Sequence, residues 1–347
     1  MKRRELLKTA AVAAPLAVFA RRGARAAAHR FKLHHFLPPQ SHAQRNMLEP
    51  WARRVEELAA GKVEIEIFPS MTLGGRPPEL IQQVRDGVVD LVWTVNGYTP
   101  GQFPRTEVFE LPFVYRNDPV AANLAMYDLF ADQLAPEYRG LEVMFLHVHA
   151  GQAIFMRERL VRRPEDLAGL RMRIPTRTGA WVLEALGASP VAMPVPEVPQ
   201  ALQKGVVDGV LLPFEIIPPL RLQQLVKYLI EGERSTRFGT TTFQVSMNGA
   251  RWRSLPEDVQ DAFRRASDRA WWGEVGRRWL AAEAGGLEVA TAAGVEHIQL
   301  SAAETEAFAA ALEPVVERWI AEVEGKGLPG RELVEQARAA IAQNQAG

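Results

Sequence analysis

The chain has 347 residues, which is enough for two domains, because single domains mostly have about 100 to 150. Hydrophobic residues make up 47% and charged residues 24%, a composition that excludes a disordered or fibrous protein. Cysteine is absent, so disulfides, thiolate nucleophiles and cysteine-ligated metal sites are excluded. The 41 basic and 41 acidic side chains give a net charge of 0.

The first 26 residues predict an export signal. Paired arginines, Arg3 and Arg4, precede an apolar stretch at residues 9–20, and residues 24–26 have the A-x-A pattern of a cleavage site. The 26-residue segment resembles a twin-arginine signal. Its apolar stretch at residues 9–20 is too short to span a bilayer, which needs about 20 apolar residues. Removing its seven basic residues and one acidic residue leaves 34 basic and 40 acidic side chains, a net charge of −6. We therefore expect a periplasmic protein that does not insert into the membrane or bind nucleic acid.

The start of the mature chain has the pattern of an α/β domain. Residues 30–36 alternate as in a strand, apolar residues recur at helical spacing from Met47 to Leu58, and Gly61 ends that helix. Residues 62–68 alternate strictly and predict a second strand. Strand, helix and strand in this order are typical of an α/β fold.

A supersecondary unit occurs twice. Residues 80–92 and 198–210 each predict a helix, a glycine stop and a G-V-V-D entry into an apolar strand. Two such units predict two similar lobes, and open α/β sheets bind ligands beyond the carboxyl ends of their strands. A cleft between the lobes is therefore the expected ligand site.

Further elements complete the predicted division of the chain. Strands are expected at residues 142–149, 153–156 and 244–247, with Ser254 as the N-cap of a following helix and long helices from residue 304 to 343. We expect residues 1–26 to be the signal and residues 27–150 with about 243–280 to form lobe I. Residues 151–242 with about 281–347 would form lobe II and the C-terminal helices.

Six short motifs occur in the order of a known family. They are Leu73-Gly74-Gly75, Glu110-Leu111-Pro112-Phe113, PEDLAGLRMRIP at residues 164–175, LGASP at 186–190, QKGVVDG at 203–209, and Met247-Asn248. Together they resemble the DctP-type solute-binding protein of tripartite ATP-independent periplasmic (TRAP) transporters. The resemblance implies a two-lobe periplasmic binding protein fold, type II-like, that closes on an organic acid without a cofactor. It also implies delivery to the small and large membrane subunits of a permease.

The resemblance assigns the ligand carboxylate to Arg173. A guanidinium offers a planar pair of donors that matches a carboxylate, and it stays charged when water is excluded. A structural salt bridge is the alternative for this residue. Many relatives also carry an asparagine where this chain has Leu212, and a second arginine near Gln152. Without these polar anchors a second buried carboxylate would be unpaired, so we expect a monocarboxylate with an apolar or aromatic body, and a C4-dicarboxylate is the alternative.

Strand ends supply the remaining candidates for ligand contacts. These are Phe36, Asn96, Tyr98, Phe214 and Glu215, with core packing or loop polarity as the alternative for each. Glu215 could instead hold a cation beside the ligand, as in some relatives that bind keto acids or lactate.

Other classes of protein and of site are less favoured. His147 and His149 could form a metal pair, but a third ligand is missing from the pattern, and no metal is expected. A secreted enzyme is disfavoured because the sequence has no G-x-S-x-G, H-E-x-x-H, P-loop or G-x-G-x-x-G motif. A binding protein that presents its ligand to a receptor kinase remains an alternative to transport.

Overall fold

The computed structural model describes residues 27–345, so the expected signal at residues 1–26 lies outside the described residues. Within that range the chain forms two sheets flanked by helices, which confirms the expected two-lobe α/β fold. The strands are β1 (His29–His34), β2 (Val63–Phe68), β3 (Leu91–Val95), β4 (Leu141–Val148), β5 (Ala153–Met156), β6 (Arg171–Ile174), β7 (Ser189–Ala192), β8 (Gly209–Leu212), β9 (Tyr228–Glu231), β10 (Thr242–Asn248) and β11 (Glu296–Gln299).

The helices cover both sheets. They are α1 (Glu49–Leu58), α2 (Leu80–Arg85), α3 (Pro119–Leu129), α4 (Arg177–Ala185), α5 (Val198–Gln203), α6 (Ile217–Leu220), α7 (Gly249–Arg253), α8 (Glu257–Ala266), α9 (Arg269–Ala292), α10 (Ala302–Glu324) and α11 (Gly330–Gln345). Among residues 27–345, no helix is both long enough and apolar enough to cross a bilayer.

The strand order shows how the chain divides between the sheets. The first sheet has the order β2-β1-β3-β10-β4, in which β10 is antiparallel to both of its neighbours. The second has the order β11-β9-β5-β8-β6-β7, in which β5 is antiparallel to β8 and β9. The chain therefore leaves the first sheet after β4 and returns to it at β10.

Long helices connect the two sheets. Helix α9 contacts α3, beside the first sheet, and also the turn at Phe214–Ile216 beyond the second sheet. Helix α10 packs on α4, whereas α11 packs on α3. The expected lobe boundaries stay a prediction, with α11 lying beside the first sheet although we assigned it to lobe II.

The core of the first sheet is aromatic. Trp51 of α1 is fully buried, and its ring lies 5.7 Å from that of Phe145 in β4 and 6.0 Å from that of Phe263 in α8. Phe31 of β1 meets Phe263 edge-on at 5.2 Å. Rings of this size supply much of the apolar area that a sheet buries against its helices.

The repeated unit forms the same structure in both sheets. Gly87 and Gly205 follow α2 and α5 with φ of 70° and 64°, the left-handed conformation that glycine adopts without strain. The next valines, Val88 and Val206, are 59% and 45% exposed. The motif therefore turns each chain segment at the surface before it enters the buried strand.

The aspartate of each repeat joins two neighbouring strands. The carboxylate of Asp90 accepts a hydrogen bond of 2.8 Å from the backbone N–H of Lys32 in β1. The carboxylate of Asp208 accepts one of 2.8 Å from the backbone N–H of Arg171 in β6. Because β1 pairs with β3 and β6 with β8 in parallel, each aspartate fixes the start of its strand against that neighbour.

The expected N-cap at Ser254 is wrong. Asn248 caps the short helix α7, and its side chain accepts a hydrogen bond of 2.7 Å from the backbone N–H of Arg251. Ser254 instead follows the last residue of α7, where its hydroxyl donates a 2.7 Å hydrogen bond to the carbonyl of Arg251, and α8 begins after Pro256. The Ser254 hydroxyl is therefore used at the end of α7 and does not cap α8.

Candidate functional site

A cavity lies between the two sheets, at the ends of β3, β6 and β8. Its empty space, counted together with the adjoining open solvent, is about 420 Å³. Residues from both halves of the chain line it, including Phe36, Leu37, Trp93, Val95, Tyr98, His149, Gln152, Arg173, Val195, Leu212, Glu215, Ile216, Thr241, Phe243 and Trp279. This position, beyond the ends of strands in two α/β halves, is where such folds bind small molecules.

One wall of the cavity is a stack of aromatic rings. Phe36 stacks on Trp93 with ring centroids 4.9 Å apart, and Trp93 stacks on Phe243 at 5.3 Å. The indole N–H of Trp93 donates a 2.9 Å hydrogen bond to Nε2 of His147, so its one polar group is satisfied outside the cavity. The wall therefore presents a flat apolar surface.

Arg173 supplies a buried positive charge to this cavity. Its side chain is on β6 and only 1% exposed, and its Nε donates a 3.0 Å hydrogen bond to the carbonyl of Met193. No carboxylate within residues 27–345 lies within 4.0 Å of it. Burial lowers the pKa of the Arg173 guanidinium, while Tyr98 and the charge of Glu197 raise it. Burying a cation with no carboxylate in contact is costly, so the geometry favours a negatively charged ligand.

Polar neighbours of the cavity are held in place by the fold. The hydroxyl of Tyr98 accepts a 2.9 Å hydrogen bond from the backbone N–H of Val195. Burial raises the pKa of Tyr98, and Arg173 acts against that shift. Gln152 donates a 2.9 Å hydrogen bond from Nε2 to the hydroxyl of Thr241.

Glu215 is a buried acid in the cavity lining. Its residue is 6% exposed, and its Oε2 has no hydrogen-bond partner within the part of the chain that the structure describes. The backbone N–H groups of Phe214 and Glu215 donate to the two carboxylate oxygens of Glu283 at 3.2 and 3.1 Å. Burial raises the pKa of Glu215 well above its usual range, and the charge of Glu283 raises it further.

The two halves of the chain meet at the edge of the cavity through ionic and polar contacts. Arg177 at the start of α4 forms two hydrogen bonds with Glu107, at 2.5 and 2.7 Å. The next residue, Thr178, donates a 2.5 Å hydrogen bond to Glu110, which also accepts bonds from the backbone and hydroxyl of Thr242. These contacts join the two halves of the chain beside the cavity.

Gly97 marks the closest backbone approach at this edge. A Cβ placed on it would lie 2.3 Å from Cγ2 of Thr176, which is the N-cap of α4. That separation is far below van der Waals contact, so the position accepts only glycine in the closed arrangement.

The structure brings six of the eight predicted site residues to the cavity. Phe36, Tyr98, Gln152, Arg173, Leu212 and Glu215 line it, whereas Asn96 and Phe214 do not. Asn96 donates to the hydroxyl of Tyr138 and accepts from Gln244, so its amide is used inside the first lobe. Phe214 packs on Phe155 at 5.9 Å and lies under the guanidinium of Arg237. Contact of the six with a ligand stays a prediction.

The sequence interpretation missed several lining residues. Trp93 and Val95 alternate along β3 and face the cavity together, a signal that the apolar strand pattern carried but that we did not use. Thr241 and Phe243 lie at the start of β10, where Phe243 is opposite Val95. Nothing local to β10 indicates that antiparallel pairing.

The two histidines of β4 are part of the aromatic packing. His147 stacks on Phe243 at 4.8 Å, and burial lowers its pKa to about 3. The Nδ1 of His149 accepts a 3.0 Å hydrogen bond from the backbone N–H of Gly151. Among residues 27–345, no group of three or more acidic or histidine side chains is arranged to hold a metal ion.

Two α/β halves around a cavity with a buried cation have the arrangement of a two-lobe solute-binding protein. Residues 33–322 match the model of the family described as bacterial extracellular solute-binding protein, family 7, named DctP. The chain therefore belongs to this family, as its motifs led us to expect.

One curated relative is the 2,3-diketo-L-gulonate-binding periplasmic protein YiaO of Escherichia coli. It is 24% identical over 221 residues, which cover 62% of this chain and 65% of the relative. The alignment thus spans slightly less than two thirds of that protein's length.

Solved structures of TRAP solute-binding proteins match more of the chain. One from Rhodoferax ferrireducens T118, with copurified benzoate, is 35% identical with a TM-score of 0.89 and covers 91% of this chain and 98% of its own. A marine metagenome protein with 3-hydroxybenzoate is 36% identical with a TM-score of 0.88, covering 91% and 98%. One from Bordetella bronchiseptica, with (R)- and (S)-mandelate, is 26% identical with a TM-score of 0.83, covering 90% and 99%.

Proposed function

We propose that this protein captures a monocarboxylate with an aromatic or similarly apolar body in the periplasm and delivers it to a TRAP-type permease. The observation that carries the proposal is Arg173, a buried cation in the cavity with no carboxylate partner within 4.0 Å among residues 27–345. A ligand carboxylate would supply that partner through a charge-assisted pair of hydrogen bonds.

The charges around the cavity favour one carboxylate rather than two. Among its lining residues, Arg173 and His149 are the only basic side chains. Burial lowers the pKa of His149 well below its usual value, so it is neutral. Arg171 and Arg177, which are close in sequence, form salt bridges with acidic side chains outside the cavity. A second ligand carboxylate would therefore be buried without a cation.

The lining also favours an aromatic body. Phe36, Trp93 and Phe243 form a stacked wall, and Leu212 stands where many relatives carry an asparagine. Similar proteins hold benzoate, 3-hydroxybenzoate and mandelate, which are aromatic monocarboxylates.

The transport role rests on the family. Delivery to small and large membrane subunits and export through a twin-arginine-like signal at residues 1–26 are expectations of the resemblance. The family and its solved neighbours are binding proteins, so we expect the ligand to leave the cavity chemically unchanged.

Mass spectrometry of the ligand released from denatured protein, combined with a thermal-shift screen, tests the proposal. Benzoate and mandelate should stabilise the protein by about 2.7 kcal/mol at a hundred times their dissociation constants. Succinate and malate should have little effect. Stabilisation by the dicarboxylates but not by the aromatic acids would contradict the proposal, and conversion of the ligand on incubation would favour an enzyme.

A further inference from the structure

We propose that Glu215 determines specificity in this cavity by binding a hydroxyl group of the ligand, in addition to the carboxylate that pairs with Arg173. The inference rests on the proposed function and makes it narrower. It assigns the ligand class as hydroxylated aromatic monocarboxylates.

The first support is an unused polar atom. Oε2 of Glu215 is sequestered from solvent and has no hydrogen-bond partner in the described part of the chain, although the residue lines the cavity. Buried polar groups nearly always have a partner, and leaving one without a partner is destabilising. A ligand group that reaches this carboxyl would remove that cost.

The second support is the fixed position of the Glu215 backbone. Glu283 of α9 accepts hydrogen bonds from the N–H groups of Phe214 and Glu215, and Arg237 holds Glu283 by a 3.0 Å salt bridge. Gly286 of α9 lies so close that a Cβ there would be 2.0 Å from the carbonyl oxygen of Phe214. The segment is therefore held at both N–H groups and at one carbonyl, which is how a fold keeps a recognition group in position.

The third support is that Glu215 and Arg173 are separate anchors. No nitrogen of Arg173 lies within 4.0 Å of the Glu215 carboxylate, so neither satisfies the other. Both line the same cavity, with the wall of Phe36, Trp93 and Phe243 beside them. A ligand that fills the cavity can therefore contact both with different groups.

The charge state of Glu215 favours a hydroxyl over a cation. Burial and the charge of Glu283 raise the pKa of Glu215, which favours its protonated form, a neutral acid with one donor and one acceptor. A ligand hydroxyl is also neutral and is both a donor and an acceptor, so it can hydrogen-bond to the Glu215 carboxyl without either group becoming ionised. An ammonium group or metal ion would require the ionised form beside Glu283.

Calorimetry with matched ligands tests the inference. The ligands are benzoate, the three ring isomers of hydroxybenzoate, and the corresponding methylbenzoates, which have nearly the same shape but no hydrogen-bonding group. We expect the best hydroxybenzoate to bind at least tenfold more tightly than its methyl counterpart, because a site built for a hydroxyl rejects its apolar analogue.

Variants of Glu215 separate recognition from general packing. Glu215→Leu and Glu215→Met should remove or reverse the preference for hydroxyl over methyl while benzoate still binds, whereas Glu215→Gln, which keeps a donor and an acceptor, should retain it. Glu158→Leu, an exposed glutamate on the surface, is the matched control and should leave all affinities unchanged. Circular dichroism checks that each variant is folded.

Three results would overturn the inference. One is equal affinity of the wild type for hydroxy- and methylbenzoates. Another is a preference that persists in Glu215→Leu and Glu215→Met, or a fall in affinity by one common factor for all ligands. The third is tighter binding of 3-(aminomethyl)benzoate than of any hydroxybenzoate, which would assign a cation to Glu215. Failure of the wild type to bind any aromatic monocarboxylate would instead contradict the proposed function.

Discussion

Two buried arginines near the cavity differ in what surrounds them. Arg237 has a side chain only 6% exposed and forms salt bridges with Glu231 at 2.9 Å and with Glu283 at 3.0 Å. Its guanidinium also lies 4.2 Å from the ring centroid of Phe214. Arg173 is equally inaccessible, yet its hydrogen bond from Nε goes to a backbone carbonyl, and no carboxylate within residues 27–345 lies within 4.0 Å of it.

The difference separates a structural charge from a binding charge. The charge of Arg237 is neutralised inside the fold, so its removal leaves acids without a partner. We expect the charge of Arg173 to be neutralised by a ligand that enters the cavity. Burial alone does not mark a ligand-binding arginine, but burial with no carboxylate within 4.0 Å supports that role for Arg173.

The largest expected effect is on stability, from Arg237→Met. Glu231 and Glu283 would lose their cation in a buried site, which should lower the free energy of unfolding by about 3–5 kcal/mol. Urea denaturation followed by tryptophan fluorescence measures this. Arg331→Met, which breaks an exposed pair with Glu317, is the control and should cost less than about 1 kcal/mol. If Arg237→Met and Arg331→Met lowered the free energy of unfolding equally, Arg237 would not be the structural charge that distinguishes it from Arg173.

The next effect is on binding, from Arg173→Ala. Losing one partner of a buried charge pair costs about 2–5 kcal/mol, so affinity for benzoate should fall by about 30-fold to several thousandfold. Stability without ligand should not fall as it does in Arg237→Met. Lysine should restore binding only in part. Arg171→Ala, two residues away and paired with Asp208, is the control. Calorimetry giving Arg173→Ala an affinity within a few-fold of wild type would refute the assignment.

Glu110 shows a third way to bury an ionisable group, by keeping it neutral. Burial raises its pKa to about 7, above the 4.5 of an ordinary glutamate. The native state therefore holds a proton that the unfolded chain releases, and this contribution to stability is complete below pH 4.5 and is lost as pH rises through 7.

Glutamine cannot ionise, so the stability of Glu110→Gln should lack the pH dependence that the Glu110 proton gives to the wild type. The free energy of unfolding of the variant relative to wild type should increase by on the order of 3 kcal/mol between pH 4.5 and pH 8. Urea titrations at several pH values measure it, with the exposed Glu306→Gln as control. A difference that does not change with pH would show that Glu110 is ionised in the fold.

The smallest expected effect is that of Tyr98→Phe. It removes the hydroxyl that accepts from Val195 and lies beside Arg173, but it keeps the ring that meets Phe36. One hydrogen bond contributes about 1 kcal/mol, so we expect benzoate affinity to fall by roughly fivefold. A loss as large as that of Arg173→Ala would mean that Tyr98 itself carries the carboxylate.

Local patterns were sufficient to predict many of the helices and strands, and they drew attention to Arg173. The two G-V-V-D units are short-range signals of helix, turn and strand, and both form as expected. The family resemblance singled out Arg173, and the structure places it on β6 in the cavity lining, while its contact with a ligand stays a prediction. The family was recognised from six such motifs in sequence order.

The sequence did not show which side chains after the strand ends point into the cavity and which point into the core. Asn96 follows β3 as a cavity residue would, but Tyr138 and Gln244, 42 and 148 positions away in the chain, bind its amide. Phe243 and Thr241 reach the cavity because β10 returns from the second half of the chain. Such placements depend on pairing between distant segments, which no local pattern encodes.

The contact between Gly97 and Thr176 suggests a practical tool. The methyl group added by Gly97→Ala should prevent full closure of the two lobes, because the alanine Cβ would lie only 2.3 Å from Cγ2 of Thr176. The two lobes would then adopt a partly open conformation, with the aromatic wall and Arg173 exposed to solvent. A larger radius of gyration in X-ray scattering would reveal this conformation. A fluorophore attached near residue 97 would then report ligand-induced closure of the lobes as a change in fluorescence.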